Sequence, residues 1–122
     1  MIRVLIADDE EDLATSTADW LRGEGFEVEV AHDAGAIRVA LAARPPDVLL
    51  QDVRMPDLDL DELFAKVRAD GALRHMAIIL FTAAVDGREL GLRHGADAVV
   101  SKPFEPEELA DAIRRCAERS YI

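Results

Sequence analysis

The sequence predicts an α/β chain built on a doubly wound, parallel sheet of five strands, and three observations carry that prediction. Short unbroken apolar runs recur along the chain, helical apolar stripes lie between them, and no connection is long or polar enough to be an interdomain linker. The runs are Val4 to Ala7, Val48 to Leu50, Ala77 to Phe81 and Ala98 to Val100. They do not alternate with polar residues, so they read as strands buried on both faces, as parallel sheets require. Phe26, Val28 and Val30 do alternate, with Glu27 and Glu29. That strand has one wetter face and belongs at a sheet edge.

Helical spacing links Leu13, Thr17, Trp20 and Leu21, then Ile37, Ala40 and Leu41, then Leu60, Leu63, Phe64 and Val67. Two further helices are expected over about Asp86 to His94 and Pro106 to Arg119, the last with Leu109, Ile113 and Cys116 on one stripe. Asp59 with Glu62 and Asp86 with Glu89 fit a capping box, and Pro106 suits a first helical position. Gly23, Gly25, the pair Pro45 and Pro46, Gly71 and Gly95 punctuate the connections. Five βα units without closure give a doubly wound open three-layer sandwich, for which one common strand order is 2-1-3-4-5, and that order places the alternating second strand on an edge.

The 122 residues suffice for one compact domain, read here as residues 1–122 with no effector domain visible. A net charge of −11 disfavours direct contact with nucleic acid or anionic lipid, and no local basic patch overrides it. The single Cys116 forms no internal disulfide, no signal-peptide leader precedes Arg3, and no apolar run approaches the roughly 20 residues of a membrane span. A cytoplasmic location is therefore expected.

Ligands of open α/β sheets bind beyond the carboxyl ends of the strands, where this chain places Asp8, Asp9, Asp52, Thr82 and Lys102. Three carboxylates brought together repel, and a hard divalent cation with oxygen ligands neutralises them; Mg²⁺ is the natural choice. A carboxylate can also attack phosphorus, provided that charge on the transferring oxygens is offset. The Lys102 ammonium and the Thr82 hydroxyl are suited to that, and Asp52, ending the central strand, is the best-placed nucleophile.

Together, Asp8-Asp9-Glu10, Asp52-Val53-Arg54-Met55-Pro56, Thr82 and Lys102-Pro103-Phe104 make the chain resemble the response-regulator receiver family over its whole length. The resemblance implies a flavodoxin-like fold and a phosphoacceptor role in two-component signalling. Asp9, Asp52 and the backbone carbonyl of Arg54 would ligate Mg²⁺, Asp8 would help through water, and Lys102-Pro103 would be cis. A histidine kinase or histidine phosphotransfer protein would supply the phosphoryl group. The product would modify the chain itself, with slow autodephosphorylation and no turnover enzyme activity. Output would pass to a downstream effector protein or domain, with the face of helix 4, strand 5 and helix 5 available for contact or homodimerisation. Arg54 and Ala84 would flank the phosphate.

Two positions depart from the receiver pattern. Val99 stands three residues before the lysine, where Tyr or Phe is usual, so the coupling of a threonine shift to an aromatic rotamer is not expected. Leu60 replaces a glycine that commonly follows the loop after the acceptor, and a different loop shape from Asp57 to Asp61 is expected.

Other features read as ordinary structure. The run Asp57 to Asp61 lacks the glycine and the bidentate glutamate of a calcium loop, since Glu62 and Arg68 stand there. His32, His75 and His94 have no partners at ligand spacing, Cys116 reads as a buried small hydrophobe, and Trp20 reads as core. Acidic residues from Glu105 to Asp111 favour a helix N-terminus. A phosphatase would want a second acid two residues after the nucleophile, where Arg54 stands. A flavin phosphate would be repelled by Asp8 to Asp12. A phosphorylation-independent interaction module with this fold remains the competing function, on account of Val99 and Leu60.

Overall fold

The computed structural model describes residues 1–83 and 85–120. Strands β1 (Arg3–Ala7), β2 (Glu27–Ala31), β3 (Val48–Asp52), β4 (Ala77–Thr82) and β5 (Ala98–Ser101) alternate with helices α1 (Glu11–Gly23), α2 (Ala34–Ala43), α3 (Leu60–Ala69), α4 (Gly87–His94) and α5 (Pro106–Ser120). All strand pairs are parallel, as the apolar runs predicted, and the order is β2-β1-β3-β4-β5, the common doubly wound order, with the alternating β2 on an edge. The in-register pairs Ile6–Leu50 and Leu50–Ile79 run across the central strands.

Because side chains alternate along a strand, the apolar runs divide between two cores. Val4, Ile6, Val48, Leu50, Ile79 and Phe81 face α1 and α5, where Ala14, Leu21, Leu109, Ile113 and Cys116 meet them. Leu5, Leu49, Ile78 and Leu80 face the other way, against Ile37, Leu41, Leu63, Phe64 and Val67 of α2 and α3. Each fully buried Leu or Ile in these layers contributes roughly 1.5–3 kcal/mol of apolar transfer.

Three sequence expectations are corrected. β5 was read as buried on both faces, but it is the second sheet edge and leaves Ala98 and Val99 only half-buried. Trp20 is not core: it is partly exposed and packs on the rim of the α1–α5 layer. Asp59 caps α3 by accepting from the Glu62 N–H at 3.2 Å, but Asp86, in the corresponding place before α4, makes no side-chain cap bond. Asp33, which sequence spacing did not single out, caps α2 through the Ala36 N–H at 2.7 Å.

Leu60 shows how the chain manages without a glycine. It is the first residue of α3 rather than a loop residue, and no described non-glycine residue has a positive φ. Starting the helix at Leu60 removes the need for left-handed backbone. The loop is held instead by Leu58 N–H to Met55 carbonyl at 3.1 Å and by Asp57, whose carboxylate accepts from Ala34 N–H at 3.1 Å. Gly95 does require its glycine: φ is 77° where α4 ends.

Candidate functional site

The parallel strands all end on one edge of the sheet, and the chemistry gathers there. Asp8 and Asp9 follow β1, Asp52 closes β3, Thr82 closes β4 and Lys102 follows β5. One oxygen each of Asp8, Asp9 and Asp52 lies within 4.8 Å of the others, with Asp8 and Asp52 buried and Asp9 exposed. Asp8 is held on both oxygens: Oδ1 accepts from the Glu10 N–H at 3.0 Å and Oδ2 from Lys102 Nζ at 3.3 Å. Its backbone is fixed as well, the N–H donating to the Ala31 carbonyl, and the carbonyl lying 3.0 Å from His32 Nδ1.

Lys102 reaches the cluster from the other side, with Nζ 3.7 Å from Asp52 Oδ1. The ammonium also stands 4.5 Å from the centroid of Phe81, whose ring faces Phe104 at 70°. An ammonium is attracted to an aromatic face while its apolar stem packs, so the ring directs Lys102 toward the acids. The Lys102 N–H donates to the Thr82 carbonyl at 2.9 Å, which ties the ends of β4 and β5 together, and the Lys102–Pro103 bond is cis, as the resemblance implied.

Asp52 feels this environment directly. Its carboxyl is pushed up from the usual 3.8 to about 6, chiefly by burial and next by a hydrogen bond shared with Asp8. The Lys102 ammonium opposes the shift, the like charge of Asp8 adds to it, and the Arg54 N–H, donating to Oδ1 at 3.3 Å, subtracts from it. Burial next to Asp8 thus disfavours the ionised form of Asp52. The donor set suits a hard divalent cation: carboxylate oxygens alone, close together, with one open to solvent.

The structure brings together Asp8, Asp9, Asp52 and Lys102, and sets Thr82 on the neighbouring strand end, buried. Arg54 is joined to Asp52 through its N–H. Ala84 lies outside the described residues. The three histidines stay away from the cluster in their side-chain roles, except that His32 braces the Asp8 backbone; His94 stacks on Phe64 and pairs with Asp61 at 3.1 Å.

Sequence reasoning missed four contributors. Phe81 reads from sequence only as a strand residue, whereas register sets it directly opposite Asp52 on the neighbouring strand, one residue before Thr82. Gln51 interrupts the apolar run of β3 with a fully buried amide. Gly87 and Gly91, spaced one helical turn apart, let α4 lie against Thr82 and Val99. Beside Lys102 runs an apolar groove lined by Leu13, Thr17, Trp20, Pro103, Phe104 and Leu109, which explains why Trp20 stops short of the core.

Comparison with known proteins agrees with this geometry. The family model described as response regulator receiver domain matches residues 4–114. The chain is 37% identical over 119 residues to the transcriptional regulatory protein TrcR of Mycobacterium tuberculosis, covering 98% of this chain and 46% of that protein. It is 35% identical over 120 residues to the DNA-binding response regulator MtrA of Mycolicibacterium smegmatis, covering 97% of this chain and 51% of that one. This chain therefore spans about half the length of these relatives. Among solved structures, a CheY-like response regulator receiver domain protein from Methanospirillum hungatei superposes with a TM-score of 0.86 at 29% identity, over 99% of this chain and 97% of that one. The receiver domain of Francisella response regulator 1452 gives 0.85 at 25% identity, over 98% and 99%. With a family match that runs from β1 into α5 and takes in each of the strand ends just described, this chain belongs to the response regulator receiver domain family.

Proposed function

We propose that this chain accepts a phosphoryl group on Asp52 and signals the modification by a change in the surface around α4 and β5. The observation that carries the reading is the Lys102 ammonium, which lies within 4 Å of both Asp8 and Asp52 on one side of a three-carboxylate cluster. In that arrangement an Asp52 oxygen attacks phosphorus, the bond to the donor's leaving atom breaks, and the electron pair leaves with the donor. Lys102 is placed to pair with one equatorial oxygen and Thr82 to donate its hydroxyl to another. Asp8, Asp9, Asp52 and the carbonyl of Arg54 are the groups we assign to Mg²⁺. Bound there, Mg²⁺ supplies positive charge that cancels the carboxylates and offsets charge on the transferring oxygens. The stable product is the modified chain itself, so the reaction is a single acceptance followed by slow hydrolysis.

The donor we assign is a phosphohistidine of a kinase or of a phosphotransfer protein, since the groove from Leu13 to Leu109 gives a partner an apolar footing beside Lys102. Output passes to an effector protein or domain, or to a second copy of the chain, at the face of α4, β5 and α5, where Val85 precedes α4 and Leu92 stands on it, both exposed. The whole of residues 1–122 serves as one receiver unit. Its acidity disfavours direct nucleic acid contact by this unit, which works in the cytoplasm where phosphohistidine donors are made.

The test uses a small-molecule phosphodonor with Mg²⁺, read by intact mass and by the base lability of the added group. The wild-type chain gains one phosphoryl group and Asp52→Asn gains none. Equal labelling of both overturns Asp52 as acceptor. No labelling, together with no Mg²⁺ binding by titration, supports the phosphorylation-independent module instead.

A further inference from the structure

We infer that Gln51 is a positioning residue that locks the turn after the acceptor, holding Asp52 and the Arg54 backbone in place before a cation binds. The inference rests on the proposed assignment of Mg²⁺ to this turn. Gln51 is the penultimate residue of β3 and fully buried. Strand register seats it between Ala7 of β1 and Leu80 of β4, an apolar setting where Leu or Met would be the ordinary occupant.

Its amide reaches both ends of one turn. Nε2 donates to the Asp52 carbonyl at 2.9 Å and to Met55 Sδ at 3.2 Å. Between those anchors lies Arg54, whose N–H donates to Asp52 Oδ1 at 3.3 Å and whose carbonyl we assign to the metal. Both acceptors demand a donor, so the orientation of the amide is set by its partners. Oε1 is then left without a hydrogen-bond partner among the described residues. An unpartnered buried carbonyl opposes folding, while the paired Nε2 organises the turn. Stability and site geometry therefore make opposite demands at this position, a conflict characteristic of functional positions. Groups that orient ligands from outside the coordination sphere act in this way, by reducing the rearrangement that binding requires.

Opposite signs make the test decisive. Gln51→Leu and Gln51→Met remove the donor and the orphan acceptor while keeping an apolar side chain of similar reach, and Met55→Leu removes one acceptor only. Three readouts are taken on the full chain: the urea midpoint, hydrogen exchange of the Arg54 amide without metal, and the Mg²⁺ dissociation constant by titration. We expect Gln51→Leu to unfold at an equal or higher urea concentration, to exchange the Arg54 amide faster, and to bind Mg²⁺ roughly 10-fold more weakly. Met55→Leu should shift Arg54 exchange and Mg²⁺ affinity in the same direction by less, and it carries the comparison should both Gln51 variants fail to fold. Variants that match the wild type in Arg54 exchange and Mg²⁺ affinity overturn the inference. So does a loss of stability that accounts for the whole change in exchange, which marks Gln51 as merely structural. Absence of Mg²⁺ binding by the wild type overturns the parent assignment as well, and is recognised because it precedes any substitution.

Discussion

Val99 rests against the bare backbone of Gly91: a Cβ at position 91 would lie 2.3 Å from Val99 Cγ2. One turn earlier, a Cβ at Gly87 would lie 2.6 Å from Thr82 Cγ2. α4 thus sits directly on the threonine of the site and on the residue that replaces the usual aromatic ring. Gly91→Ala should lower stability by about 1 kcal/mol or more, because overpacking against a stiff β-branched side chain outweighs the gain in helix propensity. Urea unfolding of Gly91→Ala, Val99→Ala and the double variant checks this, with the double variant recovering part of the loss. Gly23→Ala, which meets no atom within 4 Å, is the control and should not destabilise. A Gly91→Ala protein as stable as the wild type would show that α4 does not depend on this seat.

Asp52 makes stability depend on pH in the direction opposite to a salt-bridged acid. Its carboxyl holds a proton up to about 6 in the fold against 3.8 as the ordinary value, so the native state binds more protons than the unfolded chain between those values. Stability therefore falls as pH rises through that interval, and the penalty is complete above it. Asp52→Asn should raise stability at pH 7.5 by about 1–3 kcal/mol, and the gain should vanish below about pH 4. Urea midpoints at the two pH values measure the difference.

Mg²⁺ should reverse that penalty. Ligand carboxylates must be ionised, so binding releases protons and weakens as pH falls below about 6. At about 100 times its dissociation constant, Mg²⁺ should stabilise the wild type by about 2.7 kcal/mol, and Asp52→Asn much less. Thermal unfolding with Mg²⁺ and with a chelator tests both halves.

Lys102→Met separates metal binding from phosphoryl acceptance. Loss of the ammonium 3.3 Å from Asp8 and 3.7 Å from Asp52 removes a cation that competes for the cluster. Mg²⁺ affinity should rise, while labelling by a small phosphodonor should fall by about 100-fold or more, the cost of one oxyanion donor. Titration and labelling rate on the same preparation should move in opposite directions. A parallel loss of both would point to collapse of the site.

The two aspartates before α3 and α4 offer a contrast that spacing alone does not foresee. Asp59→Ala should cost about 1 kcal/mol, through loss of the bond to the Glu62 N–H. Asp86→Ala should leave stability within about 0.5 kcal/mol, since its side chain makes no cap bond. Urea denaturation of each single variant resolves them.

Much of this molecule is written in consecutive residues. Apolar runs and helical stripes are local, so Val4 to Ala7 or Ile37 with Leu41 announce their elements without reference to the rest of the chain, and strand ends then nominate Asp8, Asp9, Asp52, Thr82 and Lys102. The alternation in β2 even marked its edge. β5 does not announce its edge in this way, because an edge strand with two valines has the same local composition as a central one.

What tertiary structure alone decided are relations between residues far apart or on different faces. Lys102 meets Asp8 across 94 residues, and only packing on Phe81 sets the ammonium where both acids feel it. Gln51 looks like a break in a strand until its amide is seen to span the turn to Met55, and Gly87 and Gly91 look like weak helix residues until Thr82 and Val99 occupy the space their missing side chains leave. Periodicity records which side of an element a residue faces. It does not record what stands opposite, and burial, charge and steric fit all depend on the neighbour.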